Sequence, residues 1–176
     1  GHIPGQTVNA NPAKIINLSL SAPGAKCSPT LASAIKYANS QGAVVVVPAG
    51  NSKKIAGEAA KLTMPANCPD AITVSAIKED GTRASNANFG AEVDIAAPGE
   101  GILVASFGTT QEYIKSSGTS LAAAHVSGVL ALMYAAQPNL TPAAAASQLK
   151  LHVAPLVNKS KPLGTGLLDA TAAVSA

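Results

Sequence analysis

Ser117-Gly118-Thr119-Ser120-Leu121-Ala122-Ala123-Ala124-His125-Val126-Ser127-Gly128 is the stretch on which the reading of this chain turns. A Gly-Thr turn is followed by a run of small apolar residues that continues to Ala136. The run is apolar nearly all round, so it predicts a buried helix beginning at Ser120. A hydroxyl then stands at a helix N-terminus, where unpaired N–H groups and the helix dipole favour developing negative charge. Nucleophilic serines use this environment, but they also need a base and a group that orients the base. His125 lies five residues on, about 140° around the helix, and cannot comfortably reach Ser120. It is read as structural. His2 and His152 stand in no motif, so the chain offers no base of its own.

Outward from that helix, the pattern is α/β. Ala43-Val44-Val45-Val46-Val47 is a continuous β-branched run, apolar on both faces, which predicts a central strand of a parallel sheet covered by helices. Further strands are predicted at 13–20, 71–77 and 93–97, residues 167–170 read as a short terminal strand or turn, and 102–106 with 113–115 read as a hairpin around Gly108. Ser28-Pro29 opens one helix, closed by Gln41-Gly42, and Thr141-Pro142 opens another that runs to about His152. The order of elements argues for a mainly parallel sheet with helices on its faces.

The composition fits one domain with a sizeable core. Of 176 residues, 47% are hydrophobic but only 3% aromatic, so the core is built from Ala, Val, Leu and Ile. Charged residues are 12%, about half the usual share, which argues against disorder. The net charge of +3 comes from scattered lysines, with Lys53-Lys54 the one adjacent pair, so no nucleic-acid partner is expected. No apolar segment reads as a membrane span, and no membrane partner is expected. Gly1-His2-Ile3-Pro4-Gly5 has no leader character and reads as the middle of a loop. Cys27 and Cys68 each sit in a polar, proline-containing loop, and neither has metal-ligand spacing to a histidine. They are either two free thiols or one disulfide in an oxidising compartment. Free cysteines prefer apolar cores, which favours the disulfide.

Four ordered segments together resemble the subtilisin-like serine proteases, the subtilases. Ser117 to Val126 resembles the family signature around its nucleophile, usually Gly-Thr-Ser-Met-Ala-x-Pro-His-Val. Val45-Val46-Val47-Pro48-Ala49-Gly50-Asn51 resembles the strand and turn that carry the oxyanion-hole asparagine. Ile16-Asn17-Leu18-Ser19-Leu20 resembles the strand lining the substrate cleft, and Val93-Asp94-Ile95-Ala96-Ala97-Pro98-Gly99 is a fourth match. The match spans nearly the whole chain, and the two cysteine loops look most like the secreted bacterial branch. Two departures stand out. Ala124 replaces the usual helix proline, and Ser21 stands where the family often has glycine. The family's aspartate and histidine motifs, which precede its serine, are absent from this chain.

The resemblance implies a three-layer subtilisin-like fold of which residues 1–176 form the carboxyl-terminal portion. It implies a secreted, extracellular serine endopeptidase with Ser120 as nucleophile and Asn51 as oxyanion donor. Leu18, Ser19, Leu20, Ser21, Ala49, Gly50 and Thr119 would contact an extended polypeptide substrate, with Pro65-Ala66 as a further wall. The base and its aspartate would come from an amino-terminal part of the same domain, so this chain alone is expected to be inactive. No cofactor is expected for catalysis. A structural calcium ion is allowed, with Asp94 near a cation site, and Asp169 is read as a turn residue. The alternative is a non-catalytic protein that kept the scaffold for binding or structure.

Overall fold

Strand β2 (Val44–Pro48) is buried along its whole length, as a β-branched run with no polar face requires. It belongs to a computed structural model that describes residues 4–5, 7–22, 26–52, 64–108, 112–157 and 162–176. His2 and Lys53-Lys54 lie outside these residues. The other strands are β1 (Ile15–Asn17), β3 (Ile72–Ile77), β4 (Ile95–Pro98), β5 (Ile102–Ala105), β6 (Tyr113–Ser116), β7 (Val153–Ala154) and β8 (Leu167–Leu168). The helices are α1 (Pro29–Ser40), α2 (Thr119–Ala136), α3 (Pro142–Leu151) and α4 (Ala170–Val174).

The main sheet has the order β1-β2-β3-β4-β8-β7, parallel throughout except for the antiparallel pair of β7 and β8. Strands β5 and β6 form the separate antiparallel hairpin that the sequence predicted. The fold is therefore α/β with a mainly parallel central sheet.

Successive residues of a strand face opposite sides of the sheet, and β2 uses both. Val44 and Val46 join the larger core with Val74, Val126, Leu130 and Met133, on the side covered by α2 and α3. Val45 and Val47 pack with Ile35 and Leu31 of α1 on the other side. Three layers result. The caps of α1 and α3 follow the sequence reading: Ser28 Oγ accepts from Leu31 N at 3.2 Å, and Thr141 Oγ1 accepts from Ala144 N at 3.2 Å. Each such cap contributes about 1 kcal/mol.

The structure corrects the sequence reading in three places. The strand predicted for 13–20 holds its ladder only over Ile15–Asn17, and Leu18 N still donates to Val46 O at 2.9 Å before the chain leaves the sheet. Alternation of apolar residues continues to Leu20, but β1 leaves β2, which itself runs on to Pro48: Pro48 has no N–H to give Leu18 O, which accepts from Leu20 N at 2.7 Å instead. Helix α2 starts at Thr119 with Gly118 as its N-cap, one residue earlier than expected. It is also buried on one face only. Ala122, Ala123, Val126, Val129, Leu130 and Met133 pack inward, whereas Ala124, His125, Gly128 and Leu132 are exposed, Leu132 by 55%. Length and composition would let α2 cross a membrane, which the sequence reading had excluded for every segment. Its inward face is packed on the sheet, as in the core helix of a globular domain.

The disulfide joins Cys27 to Cys68, with Cα atoms 5.0 Å apart. It ties the loop entering α1 to the loop that leads into β3. Closing a segment of 41 residues stabilises by about 4 kcal/mol in the chain-entropy account. Reduction of the native protein, or the double substitution of Cys27 and Cys68 by alanine, is expected to lower the denaturant midpoint accordingly. Peptide mapping without reductant that found both thiols free, or an unchanged midpoint, would contradict the bridge.

Candidate active site

The carboxyl end of β2 and the amino end of α2 meet, and the hydrogen bonds there set the geometry of the site. The turn Ala49-Gly50-Asn51 follows β2. Ala49 N donates to Val74 O of β3 at 2.8 Å, which continues the sheet by one residue. Gly50 has φ 100°, a left-handed conformation open to glycine and costly for other residues. On the α2 side, Gly118 N donates to Gly99 O at 2.7 Å, and Gly99 N donates to Ile77 O at 3.0 Å. The turn after β4 thus props the start of the helix.

Thr119 joins the two sides. Its hydroxyl accepts from Gly50 N at 3.1 Å and donates to Asn51 Oδ1 at 3.1 Å, while Thr119 N donates to the same Oδ1 at 2.9 Å. Two donors on Oδ1 orient the Asn51 amide and leave Nδ2 as its other end. That nitrogen lies against Gly118, where an added Cβ would stand 3.2 Å away. Glycine at 118 is therefore a matter of space. Among the described residues, Asn51 Nδ2 has no hydrogen-bond partner.

Ser120 is the second residue of α2 and is half-buried. In the first turn, Thr119 N is taken by Asn51, and the amides of Leu121 and Ala122 both reach Gly118 O, at 3.1 and 3.4 Å. The Ser120 N–H has no partner among the described residues. Two donors without a partner among the described residues, Ser120 N and Asn51 Nδ2, thus stand at the start of the helix that carries the Ser120 hydroxyl. The arrangement can bind an oxygen that becomes negative beside the hydroxyl.

Ser19 ties the β1 side to the same turn. Its hydroxyl donates to Ser120 O at 3.1 Å and accepts from Asn17 Nδ2 at 2.9 Å. Ser127 Oγ, one face of α2 further along, donates to Asn17 Oδ1 at 3.3 Å. Leu18 is half-buried, and Ser19, Leu20 and Ser21 are exposed. Leu20 N is used internally by Leu18 O at 2.7 Å, and Ala22 N donates to Met64 O at 2.8 Å. This leaves the amides of Ser19 and Ser21 without a partner among the described residues. Ala49 and Ala66 are buried together with Val93, and Thr73 Oγ1 holds Ala66 O at 2.9 Å.

Other residues singled out from sequence lie elsewhere or have different work. Thr119, expected to contact substrate, is fully buried, and its polar atoms hold Gly50 and Asn51. His125 Nδ1 stands 2.9 Å from Leu121 O on its own helix, and no side chain among the described residues hydrogen-bonds the Ser120 hydroxyl. His152 Nδ1 is likewise on Gln148 O at 2.9 Å. Asp169 caps α4 by accepting from Ala172 N at 2.9 Å. Asp94 Oδ1 pairs with Lys150 Nζ at 3.1 Å and Oδ2 accepts from Thr73 N at 2.8 Å. The cation beside Asp94 is thus an ammonium. Among the described residues no group of three or more His, Cys, Asp or Glu side chains is placed to hold a metal ion.

Asn88 was missed from sequence. It is buried, and Ala49, Gly50 and Ser52 all hydrogen-bond to it. One faint signal existed, a lone amide between the apolar Ala87 and Phe89.

A family model described as the subtilase family matches residues 5–169. The chain is 42% identical over 184 residues to an extracellular protease of Xanthomonas campestris pv. campestris, covering 100% of this chain and 31% of that protein. It is 36% identical over 186 residues to an extracellular basic protease of Dichelobacter nodosus, covering 100% of this chain and 30% of that protein. Among solved structures, a protease from Pseudoalteromonas arctica PAMC 21717 superposes with a TM-score of 0.89 at 36% identity, covering 99% of this chain and 54% of that one. The chain spans about a third of the length of the curated relatives it matches. With the Asn51 turn at the carboxyl end of a parallel strand meeting the helix start that carries Ser120, and with a family match over nearly its whole length, the chain belongs to the subtilase family.

Proposed function

We propose that this chain carries the nucleophile and the oxyanion hole of a secreted serine endopeptidase. The observation that supports this most is the pair of donors, Ser120 N and Asn51 Nδ2, left without a partner among the described residues where the Asn51 turn meets the start of the Ser120 helix. Ser120 Oγ attacks the scissile carbonyl carbon, and its proton passes to a base. The carbonyl oxygen becomes an oxyanion held by the two donors. Collapse expels the leaving amine, which takes the proton, and leaves an acyl-enzyme that water hydrolyses by the same steps. Donors of this kind are worth several kcal/mol of barrier because they are aimed before charge develops.

The base and its orienting aspartate come from an amino-terminal segment of the same domain. The exposed face of α2 and the outer edge of β1, which has no paired strand among the described residues, support a covering segment there. The names of the relatives, an extracellular protease and an extracellular basic protease, support a polypeptide substrate and a secreted protein. The substrate lies extended along Leu18–Ser21 and pairs with the free amides of Ser19 and Ser21. Ala49, Gly50 and Ala66 are buried and offer it little surface. No step requires a metal ion.

In the protein that includes the amino-terminal segment, a fluorophosphonate probe is expected to label Ser120 and to fail on Ser120→Ala. Labelling of another serine would reject the assignment. Asn51→Ala is expected to lower kcat by roughly 10²–10³ with little change in KM. An unchanged kcat would remove Asn51 from the oxyanion hole. Residues 1–176 by themselves are expected to show no peptide hydrolysis. Hydrolysis by this chain alone that disappears in Ser120→Ala would overturn the claim that its base lies elsewhere.

A further inference from the structure

The turn that carries Asn51 is held from two directions, and only one of them is the helix that carries Ser120. From the helix side Thr119 takes Gly50 N and Asn51 Oδ1. From the opposite side a single residue, Asn88, takes the backbone on either side of Asn51. Asn88 Nδ2 donates to Ala49 O at 2.9 Å, Asn88 N donates to Gly50 O at 2.9 Å, and Ser52 N donates to Asn88 Oδ1 at 3.0 Å. Asn88 is itself anchored, because Ser75 Oγ of β3 donates to Asn88 O at 2.7 Å. Both residues are buried, Asn88 at 2% exposure and Ser75 at 0%.

We propose that Asn88 is a positioning residue for the oxyanion hole: it fixes the Ala49–Ser52 turn and thereby the place of Asn51 Nδ2. The proposal rests on the reading of Asn51 as an oxyanion donor. Its physical basis is the hydrogen bonding of the turn's buried backbone groups. Ala49 N is held by Val74 O, Ala49 O and Gly50 O by Asn88, Gly50 N by Thr119, and Ser52 N by Asn88. A buried backbone group without a partner is costly, so these bonds leave the turn one arrangement. The side chain of Asn51 then starts from a fixed Cα, and Thr119 fixes its rotation. An oxyanion donor stabilises only an oxygen it already faces, so removing one of the two supports permits a shift that costs rate rather than binding. Asn88 touches neither substrate nor the reacting atoms, and its whole effect passes through Asn51.

The test is a double-mutant cycle in the complete protease, the protein that includes the amino-terminal segment. Asn88→Ala is expected to lower kcat on the order of 10²-fold with KM nearly unchanged. In the Asn51→Ala background the same substitution is expected to lower kcat by no more than about twofold, because residues acting as a unit are not additive. A loss of the same size in both backgrounds, or a loss that falls on KM, would overturn the proposal. Ser75→Ala keeps the Asn88 side chain and removes only its anchor. It covers the case in which Asn88→Ala does not fold, with the same pattern expected at smaller size and the same pattern overturning. If hydrolysis proves independent of Ser120, the proposed function fails, and the positioning claim is read from crystal structures of the protein and its Asn88 or Ser75 variant. Loss of the Thr119–Asn51 hydrogen bonds or a displaced Asn51 amide supports it, and an unmoved turn overturns it.

Discussion

The Thr119 hydroxyl stands between two turns that the chain separates by 69 residues. It accepts from Gly50 N and donates to Asn51 Oδ1, and Thr119 itself is fully buried. A buried hydroxyl with both functions used gains modestly in net stability, about 0.5–1.5 kcal/mol per bond, but costs more if a partner is lost. The site depends on this contact because Ser120 is the next residue. The register between the helix and the Asn51 turn is therefore set within one peptide unit of Ser120. Thr119 also carries the first free amide of the helix, and giving that amide to Asn51 leaves the amide of Ser120 as the unpaired one.

That contact can form only because the sheet delivers its ends to one side. Strands β1 to β4 are parallel, so the turns following β2 and β4 emerge together, and α2 begins where the latter turn supports Gly118. Polar residues grouped at the carboxyl ends of parallel strands are the usual place for chemistry in such sheets. The Asp94–Lys150 ion pair belongs to the opposite end, since Asp94 immediately precedes β4 and Pro98-Gly99 ends it. Asp94 holds Thr73 N and α3 in place, and the length of the sheet separates it from Ser120. The same topology gives the cysteine bridge its place. It lies on the α1 face with Val45 and Val47, and it braces the loops of residues 26–28 and 64–69.

Much of this was legible in the chain. The β2 run could belong only to a strand buried on both faces. Ser28-Pro29 and Thr141-Pro142 announced two helix starts, and each cap forms as read. The Gly-Thr-Ser turn before an alanine-rich run placed Ser120 at a helix start, and the order of four segments pointed to the subtilases. Other features were illegible for reasons that lie outside local pattern. The alternation that continues to Leu20 could not show that the ladder stops at Asn17, because a strand ends where its hydrogen bonds to the neighbour end, and Leu18 O turns to Leu20 N. The apolar circumference of α2 could not show which face the sheet would cover. Composition describes what a helix can bury, and packing decides what it does bury.

The sequence by itself determined the main elements and a mainly parallel sheet covered by helices, because propensity, capping and hydrophobic period act over a few residues, and the resemblance to the subtilases singled out Ser120 and Asn51. Only the tertiary structure decided how those two residues are aimed. Thr119 was read from sequence as a substrate contact and is a buried brace. Asn88 carried no motif, yet it holds the backbone on both sides of Asn51. The physical reason is that a hydrogen bond has no sequence signature when its partners are far apart in the chain. Its donor and acceptor are ordinary residues until folding brings them within 3 Å of each other.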